Sequence, residues 1–84
     1  MSTEPTLDGL TEIMRKVFGN SDLVVKSETV AVQVPGWDSL SHVVLMLEIE
    51  GKYGVLLQPA ETAELPNVGA LLDLLRQRLS ATSW

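Results

Sequence analysis

Three stretches of this chain repeat apolar residues at the three- and four-residue spacing of an α-helix, and this spacing constrains the fold more than any other feature. They run from about Pro5 to Phe18, Ser39 to Tyr53 and Asn67 to Leu79, and a short helical turn is expected at about 61–65. The 84 residues leave room for one small domain, spanning 1–84. We predict an all-α fold: a small bundle of three main helices plus the short turn, with a long loop between the first two helices.

Capping signals place the ends of the first and last helices. The first is predicted to start at Thr3 or Glu4, because the proline that follows them is tolerated in a first helical turn, and to stop at Gly19. Asn67 is a suitable cap for the last helix, and the tail from Ser80 to Trp84 is expected to fray. The apolar positions that predict the two helices are Leu7, Leu10, Met14 and Val17 in the first and Val68, Leu71, Leu72, Leu75 and Leu79 in the last.

The second predicted helix is apolar on more than one side. The stripe expected in the core consists of Leu45, Met46, Ile49 and Tyr53. A different face carries Leu40, Val43, Val44 and Leu47. A helix with this pattern is either buried all round or presents one side as a docking surface.

The long loop, residues 20–37, is open to two interpretations. Val30, Val32 and Val34 alternate with other residues, which taken alone is typical of a short strand. A single strand is unstable, and only the segment 23–25 could pair with it. We favour a loop whose valines fill the ends of the helix bundle.

The composition excludes several classes of function. With no cysteine and a single histidine, His42, the chain offers no thiolate nucleophile and no cysteine or histidine cluster for zinc. A net charge of −5 disfavours binding to nucleic acid. The N-terminus does not have the pattern of a signal peptide, and no apolar run approaches the ~20 residues that span a bilayer. We expect a monomeric cytoplasmic protein that is not an enzyme and binds neither nucleic acid nor membrane.

The stretch Gly36-Trp37-Asp38-Ser39-Leu40 places a serine where the long loop becomes the second helix. Taken alone, an Asp-Ser pair before an apolar run is a common helix start, in which Ser39 is only a cap. The stretch also resembles the phosphopantetheine attachment motif of acyl carrier proteins, whose core is Asp-Ser-Leu. The resemblance extends along the chain, through the long loop, the aromatic-glycine pair Tyr53-Gly54, a short acidic segment and a final helix.

This resemblance implies the acyl-carrier-protein fold and a role for each residue of the motif. Ser39 would carry a covalent 4′-phosphopantetheine arm, with its phosphodiester beside the positive end of the helix dipole. Asp38 would help to hold a magnesium ion while a phosphopantetheinyl transferase moves the arm from coenzyme A. The arm's thiol would hold an acyl, hydroxyacyl or aminoacyl group as a thioester, loaded by an activating ligase and passed to synthase or transferase enzymes. The alternative is a non-catalytic helical interaction module.

The second helix departs from the family at positions 41–44, where carboxylates are usual and this chain has Ser-His-Val-Val. We therefore expect docking by apolar contact, with Glu48 on its rim, and a specialised, free-standing carrier. The residues expected to make these contacts are Leu40, Val43, Val44 and Leu47. The pathway stays open between polyketide, nonribosomal peptide, fatty acid or other lipid, and cell-envelope biosynthesis. His42 is expected to be a partly buried polar residue or a contact to the arm or a partner, and Trp37 to pack and pin the loop.

Overall fold

The computed structural model describes residues 5–81, and residues 59, 80 and 81 in their backbone alone. Its four helices are α1 (Leu7–Phe18), α2 (Ser39–Tyr53), α3 (Pro59–Ala63) and α4 (Val68–Ala81). α1 packs against α2 and α4, and α2 also packs against α3. The described segment contains no strand, so the predicted all-α bundle is confirmed. Residues 80 and 81, predicted to fray, belong to α4, and the rest of that tail lies outside the described residues.

α1 begins later than its sequence predicted. Thr6 has extended backbone, and its Oγ1 accepts a hydrogen bond from the Gly9 N–H at 3.0 Å. Because this bond makes Thr6 the N-cap, α1 begins at Leu7 and not at about Pro5. The predicted start signals Thr3 and Glu4 lie outside the described residues. The helix ends as predicted at Gly19, whose φ of 63° lies in the left-handed region that glycine adopts readily.

A close approach to α2 explains the glycine within α1. A Cβ atom at Gly9 would lie 2.6 Å from the Tyr53 hydroxyl and 3.2 Å from Thr6 Oγ1. The Tyr53 side chain is buried, and burial raises the pKa of its hydroxyl. The helix-weakening glycine is therefore the residue that lets this end of α2 pack against α1.

The stripe of α2 that was predicted for the core is buried. Its members Leu45, Met46, Ile49 and Tyr53 share one apolar cluster with residues of α1 and α4. Ile49 is completely inaccessible, and burying a side chain of this size contributes about 1.5–3 kcal/mol. The cluster's members from the other two long helices are Leu10, Ile13, Met14, Val68, Leu71, Leu72 and Leu75.

The long loop contains a short 3₁₀ turn, Ala31–Gln33, in place of the alternative strand. Val34 is buried, as expected, but Val32 is 90% exposed, so the expectation that all the valines fill the bundle is wrong. In a 3₁₀ turn of three residues, alternate side chains no longer share a face. Leu23 and Val25, earlier in the loop, are buried instead.

The loop is fastened to the start of α4. The Gly69 N–H donates to the Ser27 carbonyl oxygen at 2.8 Å, and Asn67 Oδ1 accepts from the Ala70 N–H at 2.9 Å. The predicted Asn67 cap is confirmed. These bonds satisfy N–H groups at the end of a helix that would otherwise lack partners, and they hold the loop beside α4.

The short helix lies earlier than predicted. α3 begins at Pro59, a residue type favoured at the first position of a helix, and not at 61–65. An ion pair between Arg78 and Glu61 joins α3 to α4, and Arg78 Nη1 also donates to the Leu56 carbonyl oxygen at 2.9 Å. α3 is therefore held against the bundle by its packing on α2 and by the ion pair to α4.

Candidate functional site

The side chains of Asp38 and Ser41 cap the start of α2. Asp38 Oδ1 accepts from the backbone N–H groups of Leu40 at 3.0 Å and Ser41 at 2.9 Å. Ser41 Oγ accepts from the Asp38 N–H at 2.8 Å and donates to the Gly36 carbonyl oxygen at 2.7 Å. This reciprocal arrangement is a capping box, and it fixes the direction in which the loop enters the helix.

The same contacts set the charge of Asp38. Its pKa is lowered from the ordinary value of 3.8, chiefly because the Ser41 backbone N–H donates to its carboxylate, with the Ser41 side chain as the next cause. A hydrogen bond to the ionised form favours that form. Asp38 is therefore an anion at neutral pH, fixed directly beside Ser39.

Ser39 is the first residue of α2, and its side chain is exposed. Among the described residues its hydroxyl has no hydrogen-bond partner. The interpretation of Ser39 as a helix cap is wrong, because Asp38 occupies the capping position. The hydroxyl projects from a helix N-terminus, where a covalently attached anion would lie beside the positive end of the helix dipole.

Trp37 holds the preceding loop in place. Its ring centroid lies 5.7 Å from that of Phe18 in α1, and its Nε1–H donates to His42 Nδ1 at 3.1 Å. The predicted packing role of Trp37 is confirmed. His42 is half-buried, as predicted, and its Nε2 lies 2.7 Å from Thr62 Oγ1 on α3.

A cavity of about 290 Å³ opens beside Ser39, between α2, α3, α4 and the loop. Its lining includes Trp37, Ser39, His42, Thr62, Leu65 and Leu71. Sequence reasoning did not assign a site role to Thr62, Leu65 or Leu71. The helical spacing of Leu71 predicts burial, but nothing local indicates that α3 brings Thr62 opposite His42.

The second apolar face of α2 is exposed. Leu40 is 77% and Leu47 60% accessible, and Val43 and Val44 are exposed as well. Glu48, predicted on the rim of this face, is half-buried and pairs with Lys16 of α1 at 3.0 Å. The structure thus separates a buried and an exposed apolar side on one helix.

Glu50, the remaining carboxylate of α2, binds within the fold. Its Oε2 accepts from the Leu57 N–H at 2.7 Å and so holds the segment that follows the helix. Asp38 caps the helix and Glu48 pairs with Lys16, so all three carboxylates, those of Asp38, Glu48 and Glu50, contact groups within the protein.

Two known proteins are similar to this chain along nearly its whole length. No protein-family model matches the chain. The anthracycline acyl carrier protein DauA of Streptomyces sp. (strain C5) is 34% identical over 80 residues, covering 93% of this chain and 95% of its own. The anthracycline acyl carrier protein DpsG of Streptomyces peucetius is 33% identical over 82 residues, covering 95% and 98%. The chain belongs to the acyl carrier protein family.

Solved structures of acyl carrier proteins have the same fold. The solution structure of a holo acyl carrier protein from Geobacter metallireducens has a TM-score of 0.81 and 42% identity, covering 92% of this chain and 88% of its own. A 3-oxo-butyl acyl carrier protein, an intermediate mimic from the actinorhodin polyketide synthase of Streptomyces coelicolor, has a TM-score of 0.78 at 24% identity, covering 99% and 100%. The second likeness concerns the fold alone.

Membership of the family settles the general function. This acyl carrier protein carries acyl groups in a biosynthetic pathway and is not itself an enzyme. Proteins of the family bear a covalent phosphopantetheine and work with a phosphopantetheinyl transferase and with synthase enzymes. Within residues 5–81, no helix is long and apolar enough to cross a membrane.

Proposed function

We propose that Ser39 is the residue of this acyl carrier protein that accepts the 4′-phosphopantetheine arm. One observation carries the assignment: Asp38 and Ser41 cap α2, which leaves the Ser39 hydroxyl exposed between them. The site also suits the group. An exposed hydroxyl can meet an enzyme-bound phosphate, and the cavity beside it leaves space next to an attached chain.

The transfer exchanges a phosphoanhydride bond in coenzyme A for a phosphate ester bond on Ser39. The Ser39 oxygen forms a bond to the phosphorus of coenzyme A that bears the pantetheine chain, and the bond from that phosphorus to 3′,5′-adenosine diphosphate breaks. The hydroxyl proton passes to a base of the transferase, since no base of this chain contacts Ser39 among the described residues. Ser39 therefore contributes position and access, and the transferase contributes activation.

Asp38 would assist this step as a ligand to the transferase's magnesium ion. Its ionised carboxylate lies beside Ser39, where the incoming phosphate brings further negative charge. A divalent cation between the two anions offsets their repulsion, and carboxylate and phosphate oxygens are ligands that magnesium prefers. Residues 5–81 contain no cluster of acidic or histidine side chains that could hold a metal alone, so the other ligands would come from the enzyme and coenzyme A.

The loaded arm supplies a thiol that holds the cargo as a thioester. We propose an acyl or hydroxyacyl cargo in a specialised pathway of the polyketide kind. The support for this pathway is that both curated relatives, similar over nearly their whole length, are named for anthracyclines. An aminoacyl cargo has no comparable support.

Docking to partner enzymes would use the exposed face of α2, formed by Leu40, Val43, Val44 and Leu47. Because the carboxylates of α2 already bind partners within the protein, a basic enzyme surface would meet little free negative charge there. We propose that the transferase and synthases place an apolar recess over this face. Binding should then weaken only slightly as salt rises, whereas charge-driven docking would weaken steeply.

Intact-mass measurement tests the attachment site. The protein is incubated with coenzyme A, magnesium and a broad-specificity phosphopantetheinyl transferase, and the modified residue is located by peptide fragmentation. We expect wild type to gain one phosphopantetheine on Ser39 and Ser39→Ala to gain none. Modification of the Ser39→Ala variant, or of another residue in wild type, would refute the proposal.

A matched pair of valine substitutions tests the docking face. Val44→Ser lies on the exposed face of α2, and Val24→Ser lies in the loop at similar or greater exposure. We expect the first to lower kcat/KM for transferase loading by about fivefold and the second to leave it within about twofold, since one apolar contact is worth about 1 kcal/mol. Equal effects of the two substitutions would show that docking does not use this face.

A further inference from the structure

A polar bridge crosses the wall of the cavity beside Ser39. It runs from Trp37 in the loop through His42 on α2 to Thr62 on α3, with bonds of 3.1 and 2.7 Å. Thr62 is buried, and His42 and Thr62 both line the cavity. The rest of the lining mixes apolar side chains such as Leu65 and Leu71 with polar residues such as Asn67, and the His42–Thr62 bond joins α2 to α3 across it.

The directions of the hydrogen bonds follow from the groups involved. The indole N–H of Trp37 can only donate, so His42 Nδ1 accepts, and the neutral ring carries its proton on Nε2. His42 Nε2–H then donates to Thr62 Oγ1, whose own hydroxyl donates to the Gln58 carbonyl oxygen at 3.4 Å. Each group of the bridge therefore donates to the next, from Trp37 in the loop to His42 on α2 and then to Thr62 on α3.

We propose that His42, whose Nε2–H can donate to an entering group in place of Thr62, makes this cavity selective for cargo that carries a hydrogen-bonding oxygen, such as a hydroxyacyl or oxoacyl group, over a plain alkyl chain. The inference rests on the proposed attachment at Ser39 and names the chemical class of the cargo that the carrier shelters. His42 acts here as the specificity-determining residue, and Thr62 is the acceptor that a cargo oxygen replaces.

The selectivity follows from the size of the cavity and the position of the bridge. A volume of about 290 Å³ corresponds to about ten water molecules at ~30 Å³ each, enough for a short acyl group. A chain that enters further between α2 and α3 must part His42 from Thr62. An alkyl group that enters there breaks the hydrogen bond between His42 and Thr62 and offers nothing in its place. A cargo hydroxyl or carbonyl can instead accept from His42 Nε2–H in place of Thr62.

Two cargoes of equal chain length test the proposal. Butyryl and 3-hydroxybutyryl groups are loaded from their coenzyme A thioesters by the transferase, and intact mass verifies loading. The rate of thioester cleavage by hydroxylamine is measured on the protein and on coenzyme A, and the ratio of the two rates gives the protection. We expect protection of the 3-hydroxybutyryl group to be about fivefold greater, the equivalent of one hydrogen bond.

Substitutions at His42 and Thr62 separate selectivity from folding. His42→Leu removes the Nε2–H donor and should bring the protection ratio below about twofold. Thr62→Val keeps the side-chain shape and removes only the acceptor that the cargo oxygen replaces, so it should retain the ratio. Thermal unfolding verifies that each variant folds.

The outcomes distinguish this inference from the proposed function. Failure to load wild type at all overturns the attachment at Ser39 and this inference with it. Successful loading with equal protection of the two cargoes, or with better protection of butyryl, overturns the selectivity alone. A ratio that persists in folded His42→Leu also overturns it, because the selectivity would then lie elsewhere, and so does a ratio that is lost in folded Thr62→Val.

Discussion

The two apolar sides of α2 contrast in the same helix. The inward side is built around Ile49 and packs against α1 and α4, whereas the outward side, with Leu40 and Leu47, is exposed. Both sides carry large aliphatic residues, so residue type alone does not distinguish them. The difference teaches that one helix of a small carrier can supply stability from one side and leave the other, together with Ser39 at its start, for contact with enzymes.

The largest expected effect is on the free energy of unfolding, and it separates two residues within one turn of α2. Ile49→Ala should lower the free energy of unfolding by about 2–5 kcal/mol, because it leaves a cavity in the core of a domain whose total stability is modest. Leu47→Ala, the matched control, should change it by less than about 0.5 kcal/mol. Urea unfolding measures both, and similar losses would contradict the separation of the two sides.

Substitutions at two glycines should change the free energy of unfolding by less. Gly9 lies where α1 contacts α2, and Gly51 lies on the exposed surface of α2. Gly9→Ala should destabilise the protein by about 1 kcal/mol, since the clash with the Tyr53 hydroxyl outweighs the gain in helix propensity. Gly51→Ala meets no atom within 4 Å and should stabilise by about 0.5–1 kcal/mol. Thermal unfolding gives the two signs, and a stabilised Gly9→Ala variant would disprove the packing explanation.

The local features of the fold were predictable from sequence because neighbouring residues determine them. The helical periodicity predicted the buried stripe around Ile49, and Gly19 and Asn67 marked helix ends correctly. The predicted start of α1 was too early because Pro5 was taken as part of its first turn, whereas the Thr6 side chain accepts the bond from the Gly9 N–H and caps the helix.

The candidate site divides in the same way. Ser39 and Asp38 form one local motif, so their placement at the start of α2 was predictable. The cavity depends on α3, whose residue Thr62 lies 20 positions from His42, and no local pattern indicates that pairing. The exposure of Val32 was missed for a related reason, because a three-residue turn replaces the alternation that its neighbours suggest.

The charge of Asp38 at the start of α2 should affect arm transfer more than folding at neutral pH. The pKa of Asp38 is lowered in the folded state, so its contribution to stability is complete above the ordinary value of 3.8 and is lost as pH falls through the lower, folded value. Asp38→Asn keeps an oxygen that can cap the helix and should leave the fold intact at neutral pH while removing this acid dependence. Transferase loading should slow by about tenfold or more, the scale of losses when a residue that supports a metal is changed.

The control for Asp38→Asn is Asp73→Asn, an exposed acid on α4. It should leave the loading rate as in wild type. If Asp38→Asn loads as fast as this control, then Asp38 acts only as a cap.

The most direct test of the central claim compares two serines that lie two positions apart at the start of α2. Urea unfolding and intact mass after transferase treatment are measured on Ser39→Ala and Ser41→Ala. We predict that Ser39→Ala keeps the stability of wild type and receives no arm, and that Ser41→Ala loses about 0.5–1 kcal/mol of its unfolding free energy and is still modified. A Ser39→Ala variant that loses stability as a cap mutant does, or that accepts the arm, would contradict the account.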